Sequence, residues 1–241
     1  MVKGLDRFRQ HFRGSEDAFV IIGGAACDAW LSTRGAQFRI TRDLDIVLIV
    51  EAVNDAFIAK LWSFVKAGRY QKRERADGKQ VFYRFQKPTE PDYPSMLELF
   101  SRPPNQVVLD ADKALTPIPA GEDVSSLSAI ILDEDYYRLI MSQREVREGL
   151  PMVGPACLIP LKMRAWLDLT RRLSAGEHVD AEDIRKHRND IFRLALYLPA
   201  TSTNAPVKGI VREDMLRFTS TFDIAHPEWP AVLASLRASD G

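Results

Sequence analysis

Apolar and polar positions follow two rhythms along this chain, and the rhythm changes near residue 134. Before that point the apolar residues come in short, β-branched or alternating runs: AFVIIG at 18–23, DLDIVLIV at 43–50, KQVFYRFQK at 79–87 and MLELF at 96–100. VVLDA at 107–111 and SLSAIILD at 126–133 have the same texture. Runs of this length and composition predict strands. Helical spacing appears between them over 4–13, where Leu5, Phe8 and Phe12 share a side, over 25–33, and over 53–67, where Phe57, Leu61, Phe64 and Val65 recur. After residue 134 the helical period takes over, at 136–147, 160–172, 181–198, 212–218 and 229–237. GLPMVGPA at 149–156 is rich in residues that interrupt regular structure, and it is the expected hinge. The pattern predicts an α+β protein, with a mixed sheet and flanking helices over 1–148 and a helical part over 149–241.

Composition adds bounds more than direction. With 241 residues, 46% hydrophobic and 27% charged, the chain can bury a sizeable core. Lys and Arg total 33 and so do Asp and Glu, so net charge neither requires nor excludes a polyanionic partner. Cys27 and Cys157 lie in apolar surroundings without metal-ligand spacing and read as buried small hydrophobes. No apolar run approaches the ~20 residues needed to span a bilayer, and MVKGLDRFRQHFRG lacks the apolar core of a signal peptide. No membrane association and a cytoplasmic location are the expectations.

Four features carry candidate chemistry. Gly23 and Gly24 fall between a strand and a helix, where glycine lets backbone N–H groups approach a phosphate; a tight turn would demand glycine too. Neither a Walker lysine nor a GxGxxG fingerprint follows them. Asp43 and Asp45 are two apart on an apolar strand, so they project from one face, close enough to share a divalent cation. The alternative is a pair of solvated residues at a strand end, with Arg42 beside them as an ion-pair partner. Glu98 is centred in the apolar run MLELF. Were that strand beside 43–50, Glu98 would complete a carboxylate triad able to bind Mg²⁺; otherwise it faces solvent. Finally, Asp183, Lys186, His187 and Asp190 form a polar stripe bordering Ile184, Ile191, Leu194 and Leu198, while Lys162 follows an apolar LIPL segment at the start of the preceding helix. Such a stripe suits either a solvated face or a polyanion site.

A GG turn, an R-x-T-x-D-x-D-like run as TRDLD and a carboxylate on a later strand together resemble the nucleotidyltransferase superfamily. With the late LIPLKMRAW helix and the D/K/H helix, the order is most similar to the AbiEii-type toxin nucleotidyltransferases of bacterial toxin–antitoxin systems, over residues 17–198. The resemblance implies a nucleotidyltransferase-like core in which Gly23 and Gly24 hold the triphosphate of an NTP. It implies that Asp43, Asp45 and Glu98 bind Mg²⁺, and that Thr41 is the hydroxyl residue before the acidic pair. Lys162 would contact the nucleotide phosphates, with Arg42, Asp183, Lys186 and His187 also in the nucleotide site. A helical aspartate, for which Asp183 and Asp190 compete, would join the catalytic set. The interval between Gly24 and Asp43 is longer than usual for that superfamily, and its RGAQFRI segment is expected to reshape the phosphate pocket.

The expected reaction is transfer of NMP to an acceptor hydroxyl, in a toxin–antitoxin or phage-defence setting with an antitoxin protein as partner. Residues 69–87 carry Arg69, Lys72, Arg73, Arg75, Lys79, Arg84 and Lys87 with interleaved aromatics, which suits an RNA acceptor such as tRNA. A small-molecule or protein acceptor is the competing enzyme reading, and a non-catalytic binding protein on the same fold is the third.

Overall fold

The computed structural model describes residues 2–35, 38–39, 41–74, 80–102, 115–118, 127–198 and 207–237. The strand expected at 107–111 lies outside them. Helix α1 (Leu5–Phe12) places Leu5, Phe8 and Phe12 in the core, as its spacing predicts. Phe8 and Phe12 meet Phe19 and Phe64 there at ring separations of 5.4–5.7 Å, pinning the N-terminal helix to the sheet and to α3 (Asp55–Ala67). The Asn54 side chain caps α3 by accepting from the Phe57 N–H at 3.0 Å.

A single mixed sheet organises the molecule. β1 (Phe19–Ile22) pairs antiparallel with β2 (Asp43–Leu48), and β2 runs parallel to β5 (Met96–Ser101). Beyond β5 lie β3 (Gln71–Glu74), β4 (Gln80–Gln86), β6 (Leu115–Ile118) and β7 (Leu127–Ile131). On the other side β1 is parallel to β9 (Leu150–Val153), which pairs antiparallel with β8 (Arg144–Arg147). The order is β3-β4-β7-β5-β2-β1-β9-β8, with β6 on β7. The N-terminal half of β5 is bonded to β4 and its C-terminal end to β7, so β2 and β5 lie in the middle of the sheet. Leu44, Ile46, Val47, Leu48, Leu97 and Leu99 are correspondingly buried.

The sheet carries helices, and the C-terminal part is helical. α4 (Glu134–Ser142), α5 (Pro155–Ser174), α6 (Ala181–Leu196), α7 (Gly209–Thr221) and α8 (Trp229–Arg237) follow the expected segments with shifted ends. Three expectations are overturned. The helix expected over 136–147 stops at Ser142, and the supposed hinge at 149–156 contains β9, the second strand of a hairpin. Glu148 and Gly149 form its two-residue turn with φ of +50° and +76°, the double positive φ that matches hairpin twist. The boundary between 148 and 149 therefore falls inside that turn. Lys162 does not begin its helix either. α5 starts at Pro155, a residue suited to the first helical turn, and Pro160 is accommodated in its interior.

Gly154, just before α5, packs against Trp30: a Cβ at Gly154 would lie 2.8 Å from the indole. That indole has the guanidinium carbons of Arg34 and Arg147 3.9 Å from its ring, and its N–H donates to Glu145 at 3.1 Å. No helix among the described residues is long and apolar enough to cross a membrane.

Candidate active site

Helix α2 (Gly23–Ser32) follows β1 without an intervening turn, so the two glycines are its first residues. Gly23 has φ +66°, and a Cβ there would lie 1.8 Å from Asp45 Oδ2. A Cβ on Gly24 would lie 2.5 Å from Thr41 Oγ1. Glycine is required because two acceptor-bearing side chains occupy the space beside the helix start. The Gly24 backbone N–H favours the charged form of the Asp45 carboxyl, as the electropositive start of α2 beside it would.

Along β2, Asp43 and Asp45 are partly exposed while Leu44 between them is fully buried, which places the carboxylates on one face. β5 alternates in the same way, and its register sets Glu98 directly beside Asp45 and Met96 beside Asp43. The three carboxyl groups therefore share a sheet face, the arrangement foreseen if the two strands were neighbours. Burial, then Glu98, with Asp43 adding to them, pushes the Asp45 carboxyl up to about 7 against the charge of Lys162 and the Gly24 N–H. Burial also raises Asp43, opposed by Arg39, Arg84, Lys186 and Arg42 in that order. Glu98 is held by Arg84 of β4, its register partner, through Nε at 2.6 Å and a second bond from Nη2 to the same Oε1.

The helical residues form a second cluster. Lys162 and Asp190 are buried and joined Nζ to Oδ2 at 2.7 Å, and Arg39 reaches the same oxygen at 3.1 Å. Burial opposes charge on Asp190, yet Lys162 and Arg39 outweigh it and hold the carboxyl below its usual range. Desolvation likewise works against the Lys162 ammonium, but the neighbouring Cys27 and Asp190 leave its pKa raised. Burial, then Lys162, lowers His187 to about 4, so its imidazole is neutral at neutral pH. Asp183 sits apart from Asp190, ion-paired to Lys186 at 3.3 Å. Arg42 is exposed. Cys27 and Cys157 are both buried, and burial pushes the Cys27 thiol up to about 12.

Gly23, Gly24, Thr41, Asp43, Asp45 and Glu98 are thus one neighbourhood, to which Lys162 and Lys186 contribute charge rather than direct bonds. Among the described residues, no group of three or more His, Cys, Asp or Glu side chains is placed to hold a metal ion. The donors available to a cation are Asp43 and Asp45, with Glu98 shared with Arg84. Their negative surplus and the raised Asp45 carboxyl are what a divalent cation would relieve. Arg39 and Arg84 were missing from the residues picked out as the site. Arg84 stood only within the basic run, and nothing local ties Arg39 to a partner 151 positions away. The side chains of Lys72, Arg73, Arg75 and Lys79 lie outside the described residues.

No protein-family model matches the chain, and no curated protein matches it. Among solved structures it is similar to an antigenic nucleotidyltransferase-like protein from Paracoccidioides brasiliensis, at 16% identity over 97% of this chain and 90% of the other, with a TM-score of 0.44.

Proposed function

We propose that this protein is a nucleotidyltransferase, joining an acceptor hydroxyl to the α-phosphate of an NTP and releasing pyrophosphate. The observation that supports the reading best is the closure of the glycine-led start of α2 onto Asp45, in register with Glu98 and on the same face as Asp43. A helix N-terminus favours phosphate oxygens, and carboxylates beside it favour the cation that accompanies them. Asp43 and Asp45 would hold Mg²⁺, which when bound offsets charge on the phosphoryl oxygens. The backbone at Gly23 and Gly24 would seat the triphosphate, and Thr41 would bound that seat. Both bonds from Arg84 to Glu98 fall on Oε1, and the other carboxylate oxygen is the acceptor proposed for the incoming hydroxyl. Lys162 keeps a positive charge behind Asp45 without opening to solvent, so its proposed part is electrostatic rather than a phosphate contact.

The acceptor we propose is RNA, on the strength of the basic and aromatic sequence at 69–87. A toxin role has support only in the sequence resemblance; expression of the active protein should then arrest growth, and expression of the Asp43→Asn/Asp45→Asn variant should not. The direct test is to incubate the purified protein with each labelled NTP, Mg²⁺ and total RNA. Asp43→Asn or Asp45→Asn should lower labelling about a thousandfold or more, about 4 kcal/mol of transition-state stabilisation, with the fold retained. Labelling by the double variant at the wild-type rate would remove the proposal. Labelling of a protein or small molecule instead of RNA would move the acceptor and keep the reaction.

A further inference from the structure

The charges that reach Asp43 come from a different quarter than the glycines that face Asp45. Arg39, Arg185, Lys186 and Arg193 line a cavity of about 330 Å³, in which Glu182 and Asp190 are the acidic members. Asp190 is already bonded by Lys162 and Arg39, and Arg193 lies 3.9 Å from its other oxygen. Lys186 is paired with Asp183 at 3.3 Å and Glu182 at 3.7 Å, whereas Arg185 is exposed. Among the described residues, four cations line the cavity against two carboxylates; with Lys162 buried behind Asp190 and Asp183 beside Lys186 included, positive groups still outnumber negative ones. Guanidinium groups are well matched to phosphate, which they can bond through two parallel N–H groups. His187, neutral on the same helix face, neither adds to nor cancels that field. Of the cavity's cations, Arg39 and Lys186 act on Asp43, while the Gly24 N–H acts on Asp45. The cavity's charge thus reaches Asp43, and the start of α2 meets Asp45.

We propose that this cavity binds a phosphate group of a ligand that extends to Asp43, as a second anion site separate from the start of α2. The extension to Asp43 rests on the nucleotidyl-transfer reading; the phosphate site itself does not. The phosphate has two possible sources, the tail of the nucleotide or the backbone of an acceptor strand.

The test uses the full chain and the variant Arg185→Gln/Lys186→Gln, since glutamine preserves helix propensity at both positions. Binding of inorganic pyrophosphate, of ATP, and of a single-stranded RNA oligonucleotide lacking a triphosphate is measured by calorimetry at several salt concentrations, with thermal melting as the control for folding. The variant should bind pyrophosphate about tenfold more weakly than wild type, with a shallower salt dependence. A parallel loss for ATP alone assigns the cavity to the nucleotide tail, and a loss for RNA alone assigns it to the acceptor backbone; either supports the site. Unchanged pyrophosphate binding in the variant, or none in wild type, overturns it. Arg185→Gln alone, at an exposed position, repeats the measurement should the double variant fail to fold. Pyrophosphate binding that depends on these residues in a protein that transfers no nucleotide would leave this site standing and end the reaction proposed above.

Discussion

Two clusters of charge lie side by side in this molecule and are finished to different degrees. Around Asp190 the electrostatics are closed: a buried carboxylate meets a buried ammonium and a guanidinium, and its pKa falls despite burial. Around Asp45 they are open: a carboxylate in register with another is left with too little positive charge, and its pKa rises to about 7. A closed cluster holds elements together, here α5, α6 and the segment leading into β2. An open cluster is stable only with protons or a ligand, and that difference locates the chemistry more sharply than residue type does.

The comparison breaks most visibly at Lys162. Lys162→Met should cost about 3–5 kcal/mol, because Asp190 keeps its buried charge and loses its closest partner. Urea denaturation measures this directly, and a midpoint equal to wild type would mean that the Asp190 cluster is not structural. Nucleotide affinity measured on the fraction that remains folded would then separate loss of fold from loss of binding.

At Gly23 the expected effect is smaller and combines two causes. Gly23→Ala places a Cβ 1.8 Å from Asp45 Oδ2 at a φ of +66°, and should cost about 2–3 kcal/mol through overpacking and left-handed strain. Thermal melting reports the stability. Its effect on Mg²⁺ binding sharpens the comparison, because displacement of Asp45 should weaken the open cluster and leave the Lys162–Asp190 pair intact. Unaltered Mg²⁺ affinity in Gly23→Ala would separate the helix start from the carboxylates.

The third expectation is a dependence on pH. Asp45 has a folded-state pKa of about 7 against 3.8 for the ordinary carboxyl, so the folded protein retains a proton that the unfolded chain releases. Its contribution to stability is fully present below about pH 4 and is lost as pH rises through about 7. Without divalent cations, Asp45→Asn should therefore be more stable than wild type at pH 8, by about 1–3 kcal/mol, and the two should converge near pH 4. Mg²⁺ should stabilise wild type at pH 8 more than the variant. Denaturation at several pH values with EDTA or Mg²⁺ checks both, and a variant less stable than wild type at pH 8 would show the Asp45 cluster to be closed after all.

What the sequence made legible follows from range. Asp43 and Asp45 could be placed because strand alternation is a local rule, and Glu98 because an acidic residue inside MLELF has few apolar reasons to be there. The pairing of β2 with β5 could only be posed as a condition. Arg39 was invisible as a partner of Asp190, since an ion pair spanning 151 positions leaves no trace in spacing. The hairpin of β8 and β9 was misread for a different reason. Its turn is Glu148-Gly149, and a glutamate at positive φ lacks the Asn or Asp that usually announces such a turn. With that turn unrecognised, Leu150–Val153 looked like a connector between two halves.

The same hairpin decides how those halves can move. β9 lies against β1, and one residue later α5 begins at Pro155, with Gly154 between them seated on the Trp30 indole. No slack chain connects sheet to helix at this junction. Rotation there would have to dislodge an aromatic ring flanked by two arginines and tethered to Glu145. The junction acts as a rivet, and it fixes Lys162 at a set reach from the strand that carries Asp45.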